Sequence, residues 1–263
     1  MTALSAKRSQ RLLLIGGVAI ATVVVLLIWG DNLVAWAVDR RTVLIQALVT
    51  GLLLGGVYSL VSMGLTLIFG VLDILNFAHG ALMALAMYSS YVLVSGVGFN
   101  PYLSLLISIP LLFLLGVAIQ RFLLNKIMDE PHENQLLLTF GLALFIENLL
   151  LMFFSATPKS TNFPYSESGI PLGFTSIQGP LNIFGAVADL PRVLAFIGSL
   201  VLAGLLYLLL RRTRLGTAIR AVSEDPTGAA LVGINVRQMH MVTFGLGTAC
   251  VAAAGTLVLP FLT

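Results

Sequence analysis

The sequence predicts an all-α, polytopic membrane bundle of about seven transmembrane helices, with one short extra helix in a cytoplasmic loop. Three observations carry that expectation. Apolar residues make up 58% of the 263 residues and charged residues 10%, whereas soluble domains carry roughly a quarter charged residues. The charges cluster and leave uncharged runs at 43–72 and 80–120, long enough for several spans at about 20 apolar residues each. Strand-like alternation of apolar and polar residues is absent, which argues against an outer-membrane barrel.

Candidate spans are 12–29, 44–71, 80–95, 101–120, 135–154, 192–210 and 241–262. The first follows Lys7, Arg8 and Arg11 and precedes Ala35-Trp36-Ala37, which has the look of a signal-peptidase site. Its apolar run exceeds the roughly 7–15 residues of a signal-peptide core, so a retained span is expected. Residues 1–42 are therefore read as an N-terminal segment with an extra helix, and 43–263 as the main membrane domain.

Orientation follows from the Lys/Arg bias. With the N-terminus inside, ten of the 14 basic residues fall in cytoplasmic loops: Lys7, Arg8, Arg11, Arg121, Lys126, Arg211, Arg212, Arg214, Arg220 and Arg237. Arg40, Arg41, Lys159 and Arg192 fall outside. The net charge of +3 thus speaks of topology and gives no reason to expect a nucleic-acid partner. The segment 155–191 falls outside and holds Pro158, Pro164, Pro171, Pro180 and Pro191. It cannot be a regular helix, and its mixture of turn and apolar residues reads as an ordered extracytoplasmic cap.

The polar interruption 216–235 carries start and stop signals for a helix at about 226–232. Asp225 suits the N-cap, where a carboxylate accepts from a free backbone N–H. Pro226 fits the first helical position, and Gly233 can close the helix in a left-handed conformation. Glu224 and Asp225 stand at the end that the helix dipole favours for acids. The helix would present Ala229, Ala230, Leu231 and Val232 beside the membrane, which invites a protein partner.

Three segments place polar groups in apolar surroundings. Gly51, Gly55 and Ser59 share one helical face and permit close helix packing in lipid. Asp73, Asn76 and His79 recur at spacings of three. A helix break there would expose backbone groups able to bind a small zwitterion or organise a gate. The plainer reading is a cytoplasmic turn between two spans, capped by Asp73 and Asn76. Glu147 is an acid well inside a span, with Asn148 beside it and Thr139 two turns earlier; such a group should face protein or water. Structural hydrogen bonding and a translocation role both remain open for it.

His79, His132 and His240 are dispersed and Cys250 is the only cysteine, so neither a metal site nor a disulfide is expected. Walker-type phosphate loops, nucleophile elbows and zinc-protease helices do not occur. No intrinsic enzyme activity and no cofactor are expected.

Two stretches carry a resemblance to a known family. One is 64–80, with its core Asn76-Phe77-Ala78-His79-Gly80; the other is 212–234, around Ser223-Glu224-Asp225-Pro226-Thr227-Gly228-Ala229-Ala230. With 139–148 they resemble the inner-membrane permease subunits of ABC importers for branched-chain amino acids, the LivH-like group. The similarity runs from about residue 43 to the C-terminus. It implies a pathway shared with a second, LivM-like permease, two cytoplasmic ATPase subunits and an extracytoplasmic solute-binding protein. It also implies that the short cytoplasmic helix docks on the ATPase through Glu224, Asp225, Pro226, Ala229, Ala230 and Gly233. Closure of the ATPase dimer would then drive alternating access. Asn76, His79, Thr139, Glu147 and Asn148 become candidates for the substrate pathway. The 12–29 span lies outside the resemblance, and the family's members continue past the equivalent of Pro260 with further spans, so a truncated form is expected. Runner-up readings are a permease for urea or short amides, an ATP-independent secondary transporter, and a membrane scaffold without a pathway.

Overall fold

Six helices long and apolar enough to cross a membrane account for most of the described chain. The computed structural model describes residues 40–128, 130–157, 181–183 and 186–261. The helices are α1 (Arg41–Leu72), α2 (His79–Val97), α3 (Pro101–Phe122), α4 (His132–Phe154), α5 (Leu190–Arg212) and α8 (Val236–Val258); two short ones, α6 (Arg214–Glu224) and α7 (Pro226–Leu231), lie between α5 and α8. Six of the seven expected spans thus form. The seventh, 12–29, lies outside the described residues, as does most of the expected cap. Two three-residue strands, Leu181–Ile183 and Ala186–Ala188, pair in a small sheet where that segment is described.

The chain divides into two compact units, 1–49 with 182–187, and 50–181 with 188–263. In the first, the Gln46 amide makes two hydrogen bonds to the backbone of Val187: Nε2 donates to its carbonyl at 2.7 Å and Oε1 accepts from its N–H at 2.8 Å. An exposed main-chain edge is satisfied there without a ladder partner.

The second unit is built around α8. Fifteen of its residues from His240 to Val258 are buried, and α2, α3 and α5 pack against it. Its small residues explain how. In lipid no hydrophobic force draws helices together, so dispersion and close backbone approach must. A Cβ on Gly64 of α1 would stand 2.6 Å from the Gly247 carbonyl oxygen, and one on Gly247 would stand 2.9 Å from that of Gly64. The two glycines therefore let α1 and α8 touch backbone to backbone. Hydroxyls supply the remaining attachments. Ser90 of α2 bonds both Ser108 of α3 (2.8 Å) and Thr256 of α8 (2.7 Å), and Thr248 donates to the Leu112 carbonyl at 3.0 Å. Ser90, Ser108, Thr248 and Thr256 are all buried.

α1 has 32 residues, about 48 Å at 1.5 Å per residue, against roughly 30 Å of hydrocarbon. The surplus brings its C-terminal end, Gly70, to the amphipathic α6, where the Ser223 hydroxyl donates to the Gly70 carbonyl at 2.7 Å. The sequence signals foresee one short helix in this region; the structure has two in succession. Thr213 caps α6 by accepting from the Gly216 N–H at 3.1 Å, and Gly216, Ile219 and Val222 form its buried side.

Candidate functional site: a re-entrant segment and a capped arm

Between α1 and α2 the chain is not a simple surface turn. α1 ends as Asp73 takes φ +55°, the left-handed conformation that Asn and Asp tolerate better than most residues. Its N–H still donates to the Phe69 carbonyl at 2.9 Å. From there the chain runs back along the bundle. Ile74, Asn76 and Ala78 are buried while Leu75 and Phe77 are exposed; residues 73–76 form no regular element, and a turn closed by the His79 N–H on the Asn76 carbonyl at 3.2 Å leads into α2. At its end the His79 Nε2 lies 3.0 Å from the Val61 carbonyl oxygen. Val61 stands about 16 Å back along the helix axis from Leu72. A carbonyl only accepts, so Nε2 carries the proton.

Backbone groups outside regular structure need partners where they pack against protein. Here α4 supplies the partner. The Thr139 hydroxyl accepts from the Phe77 N–H (3.4 Å) and shares its one proton between the Leu136 carbonyl (3.0 Å) and the Leu75 carbonyl (3.3 Å). Asn76 Oδ1 accepts from the Ala78 N–H at 3.1 Å, closing the turn that starts α2. Asn76 and His79 are 4% and 6% exposed, and Asn76 Nδ2 and His79 Nδ1 have no partner among the described residues. At the segment's foot, exposed Asp73 and His132 approach to 3.9 Å.

Asn76, His79 and Thr139 are thus brought together, as packed supports of the irregular segment that joins α1 to α2. Of the two readings of the Asp73–His79 spacing, the structure contains elements of each. The segment is a connection between two helices, but Asn76 does not cap α2: Ala78 holds the N-cap position without a side-chain bond, and Asn76 closes the turn just ahead of it. Asp73 instead ends α1 through its backbone conformation, and the segment packs back against the bundle. Glu147 and Asn148 stand apart, two turns farther along α4. Both are exposed, and Asn148 Nδ2 donates to the Leu144 carbonyl at 2.7 Å. They lie on a face with Phe140, Leu144 and Leu151 exposed as well.

The arm α6–α7 is built as its caps predict. Asp225 Oδ1 accepts from the Thr227 N–H at 2.9 Å, Pro226 occupies the first turn, and Gly233 takes φ +87°. The helix ends at Leu231, one residue earlier than expected. Glu224, Asp225, Pro226, Ala230 and Gly233 are exposed, whereas Ala229 is buried against the protein. Leu231 and Val232 are 85% and 76% exposed, an apolar tip that nothing covers among the described residues. Asn235 then caps α8 by accepting from the Gln238 N–H at 3.1 Å.

Among the described residues no group of three or more His, Cys, Asp or Glu side chains could hold a metal ion. Sequence reasoning did not find α6, whose signal was present as the Thr213 cap ahead of Ile219 and Val222 on one face. Nor did it find the hydroxyl attachments of α8, because isolated Ser and Thr in apolar runs do not say which helix they face.

These features define a multi-pass helical membrane protein with a broken segment inside the bundle and a capped arm beyond it. The chain belongs to the family described as branched-chain amino acid transport system / permease component, whose model matches residues 47–263. It is 28% identical over 225 residues to the high-affinity branched-chain amino acid transport system permease protein BraD of Pseudomonas aeruginosa, covering 81% of this chain and 70% of that one. It is 26% identical over 223 residues to the corresponding LivH protein of Escherichia coli, with the same coverage. A probable branched-chain amino acid transport permease protein LivH of Methanocaldococcus jannaschii is 31% identical over 206 residues, 77% of this chain and 62% of that protein. No solved structure gives a significant match.

Proposed function

We propose that this permease is the membrane-spanning subunit of an ATP-driven importer for branched-chain or closely related amino acids. The observation that carries the ATP-driven part is the arm. α7 is capped at both ends, rests on buried Ala229, and holds Ala230, Leu231 and Val232 clear of the bundle. In the chain it follows Arg211, Arg212, Arg214 and Arg220 and precedes Arg237, which puts it on the cytoplasmic side by the charge bias. An ion-driven carrier has no use for such a tip; a separate ATPase subunit has. The substrate class rests on the names of the relatives, both bacterial and archaeal.

In this reading the N-terminus is cytoplasmic and the protein lies in the cell inner membrane. Two ATPase subunits engage α7, and a solute-binding protein delivers cargo from the other side. A second permease subunit completes the pathway. Glu147 and Asn148 face that shared space, since an acid facing hydrocarbon is costly. Asn76, His79 and Thr139 hold the re-entrant segment, which is positioned to gate it. Glu224, Asp225 and Pro226 shape the arm, Ala230 makes contact, and Ala229 and Gly233 set its angle.

The test is co-purification with candidate ATPase subunits. Ala230→Asp places a charge on the contact face, and Gly233→Val forces a branched side chain into a left-handed backbone. Both are expected to weaken association while membrane insertion is unaffected. Undiminished co-purification of both variants would sink the docking role of α7.

A further inference from the structure

Beyond the arm's own tip, a cavity of about 430 Å³ opens between the C-terminal part of α1, the end of α5 and the upper side of α6. Its walls are apolar, formed chiefly by Met63, Leu67, Leu206 and Leu210. Arg220 and Ser223 stand at its α6 edge. Arg220 is exposed and forms no ion pair among the described residues; the same holds for Arg212 and Arg214, at the junction of α5 and α6. Arg211 differs, since it donates to the Tyr207 hydroxyl.

We infer that this cavity is a binding site for an anionic phospholipid, with an acyl chain along the α1–α5 walls and the phosphate at Arg220. The charge pattern selects the occupant. The described lining offers a guanidinium and hydroxyls but no carboxylate, so a zwitterionic amino acid would leave its ammonium group unpaired in apolar surroundings, at high cost. A phospholipid with net negative charge needs only what the site supplies: a bidentate cation for phosphate and an apolar trough. Basic pockets between helices at the cytoplasmic surface recognise anionic head groups on these grounds. The site sits where α6 is fastened to α1 by the Ser223–Gly70 hydrogen bond. A bound lipid would therefore brace the root of the arm.

The full chain, together with any subunits that co-purify, is placed in nanodiscs of phosphatidylglycerol mixed with phosphatidylcholine. It is then extracted into mild detergent, and retained lipid is counted by native mass spectrometry. Wild type is expected to retain phosphatidylglycerol over phosphatidylcholine. Arg220→Gln is expected to retain it about fivefold less, the effect of one basic group near the surface. Gly70→Leu lies beside open space and extends a side chain into the cavity, so it is expected to displace the lipid with Arg220 intact. Millimolar inorganic phosphate should not displace it, because phosphate lacks the apolar part. Equal retention in wild type and both variants overturns the proposal. So does release by inorganic phosphate alone, which would mean a simple anion site. Retention unchanged by either substitution but lost on binding a partner subunit would assign the cavity to a protein segment instead.

Discussion

Thr139 holds two backbone groups of the re-entrant segment with a single hydroxyl. Thr139→Val keeps the shape and removes both bonds, so it should leave the Leu75 carbonyl and Phe77 N–H unsatisfied inside the bundle, at a cost of about 1–3 kcal/mol. Thermal unfolding in detergent should show a lower midpoint for Thr139→Val, with Thr139→Ser close to wild type. Equal midpoints for Val and wild type would mean that the segment is held otherwise. Glu147 makes the opposite case, since its exposure shows that it does not support the described bundle. Glu147→Gln should leave expression and unfolding unchanged while lowering uptake in liposomes carrying the assembled transporter. Undiminished uptake would remove Glu147 from the mechanism. Both residues stood out in the sequence as polar groups in a span, but only burial separated the support from the exposed acid. Sequence spacing places both near one side of α4, and it does not tell which neighbour covers which turn.

At the scale of elements, the arm was legible because caps are local. Asp225, Pro226 and Gly233 act through their own backbone and the next few N–H groups, so their meaning does not depend on what lies across the bundle. Replacing Asp225 with Ala should fray α7 by about 1 kcal/mol. Faster amide exchange confined to 226–232, with α8 unchanged, is the expected readout. The contact between α1 and α8 is of the other kind. Gly64 and Gly247 are 183 positions apart in the chain, and no alternation or cap signal joins them. A Cβ at either meets the other helix's backbone, which cannot move as a flexible side chain can. Gly247→Leu should therefore separate the helices and cost several degrees of thermal stability. Gly55→Leu, with nothing near its Cβ, should be tolerated in the isolated chain. If both behave alike, the glycine contact does not order the bundle.

For the whole molecule, the distribution of arginines makes a prediction about sidedness. Cys250 is buried in α8, so a new cysteine at an exposed site can be read against a quiet background. Leu231→Cys should react with a membrane-impermeant maleimide in inside-out vesicles and resist it in intact cells. Labelling from the outside would reverse the orientation, and with it the docking role of α7.

The sequence by itself determined that the chain is a helical membrane bundle, where its six described spans fall to within a few residues, and that a capped helix stands beside it. Those properties follow from hydropathy and local hydrogen-bond geometry, which act within a turn or a span. Only the tertiary structure decided that 73–78 runs back into the bundle, that α8 is its buried centre, and that Glu147 is left facing outward. Each of these depends on which helix packs against which. In lipid that choice is made by close backbone approach and single hydroxyl contacts between residues far apart in the chain, a matching that no local pattern records.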